Sequence, residues 1–159
     1  MEKKYRVGIV GGTGMVGQRF ATLLEHHPWF TVTAIAASGR SAGKTYGQAV
    51  EGRWMMERPV PQNMKDLVVK DAQDVEAMKR EVDFVFCAVD MKKEEIRQLE
   101  EAYAKAEVPV VSNNSAHRGT PDVPMVIPEI NPEHTGVIPA QRRRLGTERG
   151  FIAVKSNCS

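Results

Sequence analysis

A glycine-rich stretch near the start of this 159-residue chain narrows what it can fold into. Gly11-Gly12-Thr13-Gly14-Met15-Val16-Gly17 follows an apolar run, Tyr5 to Val10, and opens a segment of helical periodicity. It satisfies G-x-G-x-x-G counted from Gly12 and G-x-x-G-x-x-G counted from Gly11. Glycine-rich turns are common, so the spacing alone is weak; the place between a buried strand and a helix gives it meaning. A turn there with no side chains in the way presents bare amides at a helix N-terminus, which suits a pyrophosphate. The expectation is dinucleotide binding through Gly11, Thr13, Gly14, Met15 and Val16.

The rest of the chain alternates strand and helix patterns. Strands are predicted at Tyr5 to Val10, Thr31 to Ala37, Asp83 to Val89, Val108 to Ser112 and Phe151 to Lys155. A helix from about Met15 to His27 would put Val16, Phe20, Leu23 and Leu24 on its core face and stop at Pro28. Another, Lys92 to Ala106, places Ile96, Leu99 and Tyr103 at core spacing. Arg40 to Met64 reads mostly as loop with one short helix, Leu67 to Lys70 as a strand and Asp74 to Arg80 as a helix. Met125 to Ile127 is a short apolar run, and Pro132 to Arg144 is mixed. The alternation predicts one α/β domain over residues 1–159: Rossmann-like, doubly wound, with a mostly parallel sheet and helices on both faces.

The end of the second strand selects the cofactor. An NAD site usually carries an acid there for the ribose 2′-hydroxyl. Here the residues are Ala36-Ala37-Ser38-Gly39-Arg40-Ser41, a cation among hydroxyls and no acid. A guanidinium with small hydroxyl donors suits a 2′-phosphate, so NADP is expected, held by Ser38, Arg40 and Ser41.

Other classes are disfavoured. The net charge of +2 is too small to make nucleic acid or an anionic membrane the main partner. No apolar run approaches the roughly 20 residues of a membrane span, and no signal-peptide core opens the chain, which predicts a cytoplasmic location. The two cysteines and four histidines lack metal-ligand spacing, so no metal is expected. Arg142-Arg143-Arg144 reads as a solvated basic face. Cys87 sits inside an apolar strand, and Cys158 follows the last strand at the edge where ligands bind. By position alone Cys158 reads as a half-buried free thiol.

Five segments in order change that reading. They are the glycine loop with its flanks, Ala-Ala-Ser-Gly-Arg-Ser-Ala-Gly-Lys, Val-Ser-Asn-Asn-Ser-Ala-His-Arg, Val-Ile-Pro-Glu-Ile-Asn-Pro-Glu-His and the closing Lys-Ser-Asn-Cys-Ser. Together they resemble the aspartate-semialdehyde dehydrogenase family, most closely its archaeal and fungal branch. The resemblance implies NADPH-dependent reduction of β-aspartyl phosphate to aspartate semialdehyde, towards lysine, threonine and methionine. It implies that Cys158 is the nucleophile forming a thioester, that Arg118 holds the substrate phosphate, and that Asn157 orients the substrate or thioester oxygen. Asn113, Asn114 and Ser115 lie where polar groups reach cofactor or phosphate, and Asn114 is assigned to the cofactor. His117 reads as a structural or rim residue.

In that family a second domain for substrate and dimerisation follows the cysteine and supplies the acid–base histidine, a glutamine and a carboxylate-binding arginine. The chain is therefore expected to be the NADP-binding part, binding NADP weakly and turning over little by itself. The full-length protein is expected to be a homodimer or homotetramer with a small-molecule substrate. Two alternatives stay open: a related acyl-CoA or acyl-phosphate reductase, such as a malonyl-CoA or N-acetyl-glutamyl-phosphate reductase, and a non-catalytic NADP-binding regulator.

Overall fold

The fold grows from short apolar runs separated by crossover helices. The structure is a computed structural model that describes residues 4–157. Among them, six strands form one sheet: β1 (Tyr5–Val10), β2 (Phe30–Ala37), β3 (Lys70–Asp71), β4 (Phe84–Cys87), β5 (Val110–Ser112) and β6 (Ile152–Val154). Their spatial order is β3-β2-β1-β4-β5-β6 and every pairing is parallel. This is the doubly wound order, whose winding reverses between β1 and β4 and opens a crevice at their carboxyl ends.

Two cores cover the two faces, as alternation along a strand requires. Val7 and Ile9 of β1 point to one side, packed with Ala21, Leu24, Ile35, Tyr46 and Val50. These come partly from α1 (Met15–Leu24) and α2 (Tyr46–Val50). Val10, Ala34 and Ala36 point to the other, packed with Met78, Val85, Leu99 and Tyr103. There the cover is α3 (Val75–Lys79) and α4 (Lys93–Lys105). As expected, Ile96, Leu99 and Tyr103 of α4 are all buried.

Several expectations need correction. Helix α1 ends at Leu24, three residues before His27, and Glu25 caps it. Its buried face is Gly17, Gln18, Ala21, Thr22 and Leu24, while Val16 is 40% exposed and Leu23 is 66% exposed. The helix is rotated because Gly17 meets the strand–helix turn: a Cβ on it would lie 2.1 Å from Gly11 O. The strand expected at Leu67 to Lys70 begins only at Lys70, since Val68 makes an isolated antiparallel bridge with Thr45. The short helix inside 40–64 is α2, nucleated by a capping box: Thr45 Oγ1 accepts from Gln48 N, and Gln48 Oε1 accepts from Thr45 N.

The mixed segment after residue 131 resolves into a 3₁₀ turn (Pro132–Val137) and α5 (Ile138–Leu145), ended by Gly146 at φ +72°. The arginine run on α5 is not simply a solvated face. Arg144 grips Asp122 with two bonds, Nε at 2.6 Å and Nη2 at 2.8 Å, and reaches Glu101 on α4. Arg142 lies over the Phe151 ring, 5.4 Å from its centroid. Gln141, fully buried, donates to Ile152 O and accepts from Ile152 N, fixing α5 to β6.

At Gly150 the chain enters β6 against α4, where a Cβ would lie 1.8 Å from Ala104 O. That atom is backbone and cannot give way. Gly150→Ala is expected to lose about 2–3 kcal/mol in urea unfolding through overpacking. Gly119→Ala, with open space around its Cβ, is expected to stay within about 0.5 kcal/mol of the parent. Equal stability of the two variants would contradict this packing.

Candidate functional site

The carboxyl ends of β1, β2, β3 and β4 surround a cleft of about 490 Å³. Its walls include Gly11, Thr13 and Gly14 of the glycine loop, and Ser38, Gly39 and Arg40 after β2. Ala88 to Met91 close the β4 side, and Arg53, Asp71 and Gln73 complete it.

The loop is shaped by where its backbone groups go. Gly11 N and Gly12 N both donate to Ala36 O, at 2.8 and 3.1 Å, anchoring the loop to β2. Gly11 turns at φ +89° with Ala88 O only 2.5 Å from where a Cβ would sit, so glycine is required there. Gly12 O accepts the Tyr46 hydroxyl at 2.8 Å, and Thr13 O accepts Gln18 Nε2 at 3.0 Å. Burial raises the Tyr46 phenol well above its ordinary range, so it stays a donor. With those carbonyls tied back, α1 begins at Met15 with Gly14 as its N-cap, and no side chain of the described residues caps it. The first amides of a helix have no intrahelical partner, and among the described residues no side chain takes them by capping, which is the arrangement that suits an anion. A Cβ on Gly14 would meet no atom of the described residues within 4 Å, so they leave the space beside the helix start open.

The predicted cofactor residues divide. Gly11, Thr13, Gly14, Ser38 and Arg40 lie together on the cleft wall. Met15 and Val16 sit in the first turn of α1 with side chains turned to solvent. Ser41 is buried, its amide donating to Ser38 O at 2.9 Å, and is not on the cleft wall. Asn114 is also off that wall: its Nδ2 turns inward to Cys87 Sγ (3.4 Å) and Glu100 Oε2 (3.3 Å).

Arg118 joins the carboxyl ends of the outer strands. Its Nε donates to Lys155 O at 3.0 Å and its Nη2 to Asn113 O at 3.2 Å. That puts a half-buried guanidinium beside the segment leading out of β6. Asn157, at the end of that segment, is exposed, and Cys158 lies outside the described residues. His117 is buried, with Nδ1 3.1 Å from Thr120 Oγ1 and Nε2 3.4 Å from Arg97 O. Burial lowers its pKa, which favours the neutral ring.

Sequence reasoning missed four residues. Gln18 and Tyr46 hold the loop carbonyls, and Arg53 enters the cleft from the segment after α2. The fourth, Glu100, is fully buried where α4 crosses β4 and β5. Ser112 Oγ and Asn114 Nδ2 donate to its Oε2, and Asn114 N donates to Ser112 Oγ at 2.9 Å. Its Oε1 has no hydrogen-bond partner among the described residues. Burial pushes its carboxyl up and, with the nearby Glu100 charge, pushes the Cys87 thiol up too. Cys87 is thus a protonated core thiol. A buried acid on an otherwise ordinary amphipathic helix leaves little trace in the chain; the one hint was Glu at a position on the Ile96–Tyr103 face.

Among the described residues no group of three or more His, Cys, Asp or Glu is placed to hold a metal ion. No helix there is long and apolar enough to cross a membrane.

The doubly wound sheet, the switch-point cleft and the bare helix end define a dinucleotide-binding domain. The comparisons agree. The model of the family "Semialdehyde dehydrogenase, NAD binding domain" matches residues 6–138, and the chain belongs to that family. It is 44% identical over 158 residues to an aspartate-semialdehyde dehydrogenase of Archaeoglobus fulgidus, covering 98% of this chain and 43% of that protein. A relative of the same name from Aspergillus fumigatus is 39% identical over 156 residues, covering 98% and 41% respectively. The crystal structure of aspartate-semialdehyde dehydrogenase with NADP from Candida albicans superposes with a TM-score of 0.85 at 38% identity. That match covers 98% of this chain and 43% of the other. The chain therefore spans less than half the length of these relatives.

The Glu100 cluster makes a pH prediction. Its folded pKa is raised, so the native protein keeps this proton to higher pH than the unfolded chain does. The stabilising contribution is fully present below the ordinary carboxylate range and is lost as pH rises through the raised value. Urea unfolding of the parent and Glu100→Gln between about pH 5 and pH 8 should show the parent losing stability relative to the variant as pH rises. A gap independent of pH would contradict a strained buried carboxylate.

Proposed function

We propose that this chain is the NADP-binding part of an aspartate-semialdehyde dehydrogenase acting on β-aspartyl phosphate. The observation that carries the reading is the cleft, where the start of α1 adjoins a β2 end whose own residues include Arg40 and no acid, with Asp71 of β3 on the same wall. The open space over Gly14 fits a pyrophosphate, and the guanidinium of Arg40 with the Ser38 hydroxyl fits a 2′-phosphate. In this reading Gly11, Thr13 and Gly14, with the amides of Met15 and Val16, hold the diphosphate. When bound, the nicotinamide supplies a hydride to the substrate's carbonyl carbon.

The chain's own residues supply the rest of what lies here. The Cys158 thiolate attacks the acyl phosphate, the carbon–oxygen bond to phosphate breaks and phosphate leaves, and a thioester forms on sulfur; once its acyl carbon has been reduced, the carbon–sulfur bond breaks, releasing the aldehyde and returning the thiolate. Arg118 holds the substrate's phosphate and takes up its leaving charge; Asn157 orients the acyl oxygen. Asn114, set by Glu100 and Ser112, shapes the backbone beside that site. The acid–base group and the carboxylate site belong, in this reading, to chain beyond these residues, and the domain alone binds NADP with negligible turnover. A homodimer or homotetramer in the cytoplasm is part of the same proposal.

The first test is cofactor choice. NADPH should bind the chain more tightly than NADH in a fluorescence titration, and Arg40→Ala should weaken NADPH roughly tenfold or more by removing a charge-assisted bond. NADH affinity should be unchanged. In the intact protein, phosphate-dependent NADP reduction with aspartate semialdehyde should vanish in Cys158→Ala. Retained activity would rule out the cysteine mechanism, and a regulator would tolerate the substitution.

A further inference from the structure

The cofactor cleft has a second cation that the motif does not announce. Arg53 lies just after α2, and its Nη2 is 3.4 Å from Thr13 O, a long contact to a neutral acceptor. Neither Arg53 nor Arg40 forms an ion pair with an acid among the described residues.

The backbone that carries Arg53 is held in place. Gly52 turns at φ +78°, and Arg53 N donates to Val50 O at 3.0 Å. The buried amide of Gln18 then bridges two segments: Nε2 donates to Thr13 O and to Arg53 O, both at 3.0 Å, while Oε1 accepts from Met55 N at 2.8 Å. One side chain thus fixes residues 53 and 55 to the glycine loop. The guanidinium itself is exposed and lines the cleft.

Its side of the loop is informative. Helix α2 belongs to the crossover from β2 to β3 and packs against the β1–β2 core, away from the Ala88 to Met91 wall after β4. Arg53 thus comes to the cleft from the β2–β3 crossover, the same crossover that brings Ser38 and Arg40 to its wall. That wall also carries Asp71, at the end of β3, whose Oδ2 is 3.6 Å from where a Cβ on Gly39 would sit. Asp71 is thus an acid on the same wall as Arg40, and a phosphate dianion bound on that wall would feel its charge. A second guanidinium offsets it, and a phosphate oxygen is a stronger acceptor than the Thr13 carbonyl.

We propose that Arg53 is a second ligand of the cofactor's 2′-phosphate, acting together with Arg40. The proposal rests on the reading of this cleft as an NADP site. On binding, the guanidinium exchanges its long contact to Thr13 O for the phosphate, while the Gln18 bridge keeps the backbone where it is.

The test is isothermal titration of 2′,5′-ADP and 5′-AMP into the chain and into Arg53→Ala and Arg53→Lys. These two nucleotides differ by the 2′-phosphate, and neither depends on turnover. Arg53→Ala should weaken 2′,5′-ADP about tenfold or more, with 5′-AMP unchanged and with partial recovery in Arg53→Lys. Equal weakening of both nucleotides would assign Arg53 to the 5′-phosphate side and overturn the proposal, as would no weakening of either. The parent protein decides the underlying reading separately. If it binds 5′-AMP as tightly as 2′,5′-ADP, the NADP assignment fails, and Arg53 with it. Thermal melts of the exposed-site variants should match the parent, so that a lost affinity is not a lost fold.

Discussion

The structure depends on how the carbonyls of the glycine loop are disposed of. A tight turn from strand to helix leaves polar backbone groups on both sides, and each must find a partner or face water. Here Gly12 O and Thr13 O are taken by the Tyr46 hydroxyl and the Gln18 amide, while Gly11 N and Gly12 N go to Ala36 O. What remains uncovered is the amide end of α1, with the partial positive charge of the helix behind it. The close approach of Gly17 to Gly11 and Gly12 sets that helix end at the crevice between β1 and β4. The bare helix end is thus a consequence of which groups are satisfied inside the fold.

The same residues link the loop to the rest of the domain. Tyr46 is positioned by α2, and α2 by the Thr45–Gln48 capping box. Gln18 carries the constraint on to residues 53 to 55. On the other half of the sheet, Glu100 does comparable work for the turn after β5 through Ser112 and Asn114. A buried acid is a costly choice for that purpose, and its raised pKa reflects the cost. Arg118 then ties the ends of β5 and β6, next to the segment that leads to Cys158.

Much of this was legible from periodicity. The strand runs at Tyr5, Thr31 and Phe84, the face of α4 and the glycine loop are local patterns, and local patterns survive in a sequence. The orientation of α1 was not legible in the same way: hydrophobicity favoured Val16 and Leu23, but the contact of Gly17 with backbone decided the rotation. Helix α2 did carry a signal, the Thr45-Tyr46-Gly47-Gln48 box, which the surrounding glycines and prolines obscured. Arg53, Gln18 and Glu100 act through partners 12 to 40 residues away in the chain. Nothing in a one-dimensional pattern marks such pairs. The arginine run on α5 fails for a related reason, because its partners Asp122 and Glu101 are distant too.

Amide chemical-shift mapping during an NADPH titration shows whether the amides at the start of α1 receive the cofactor's diphosphate. The largest shifts are expected at Gly14, Met15 and Val16, with a second group at Ser38 to Arg40. Shifts concentrated elsewhere, with the start of α1 unmoved at saturation, would contradict that placement.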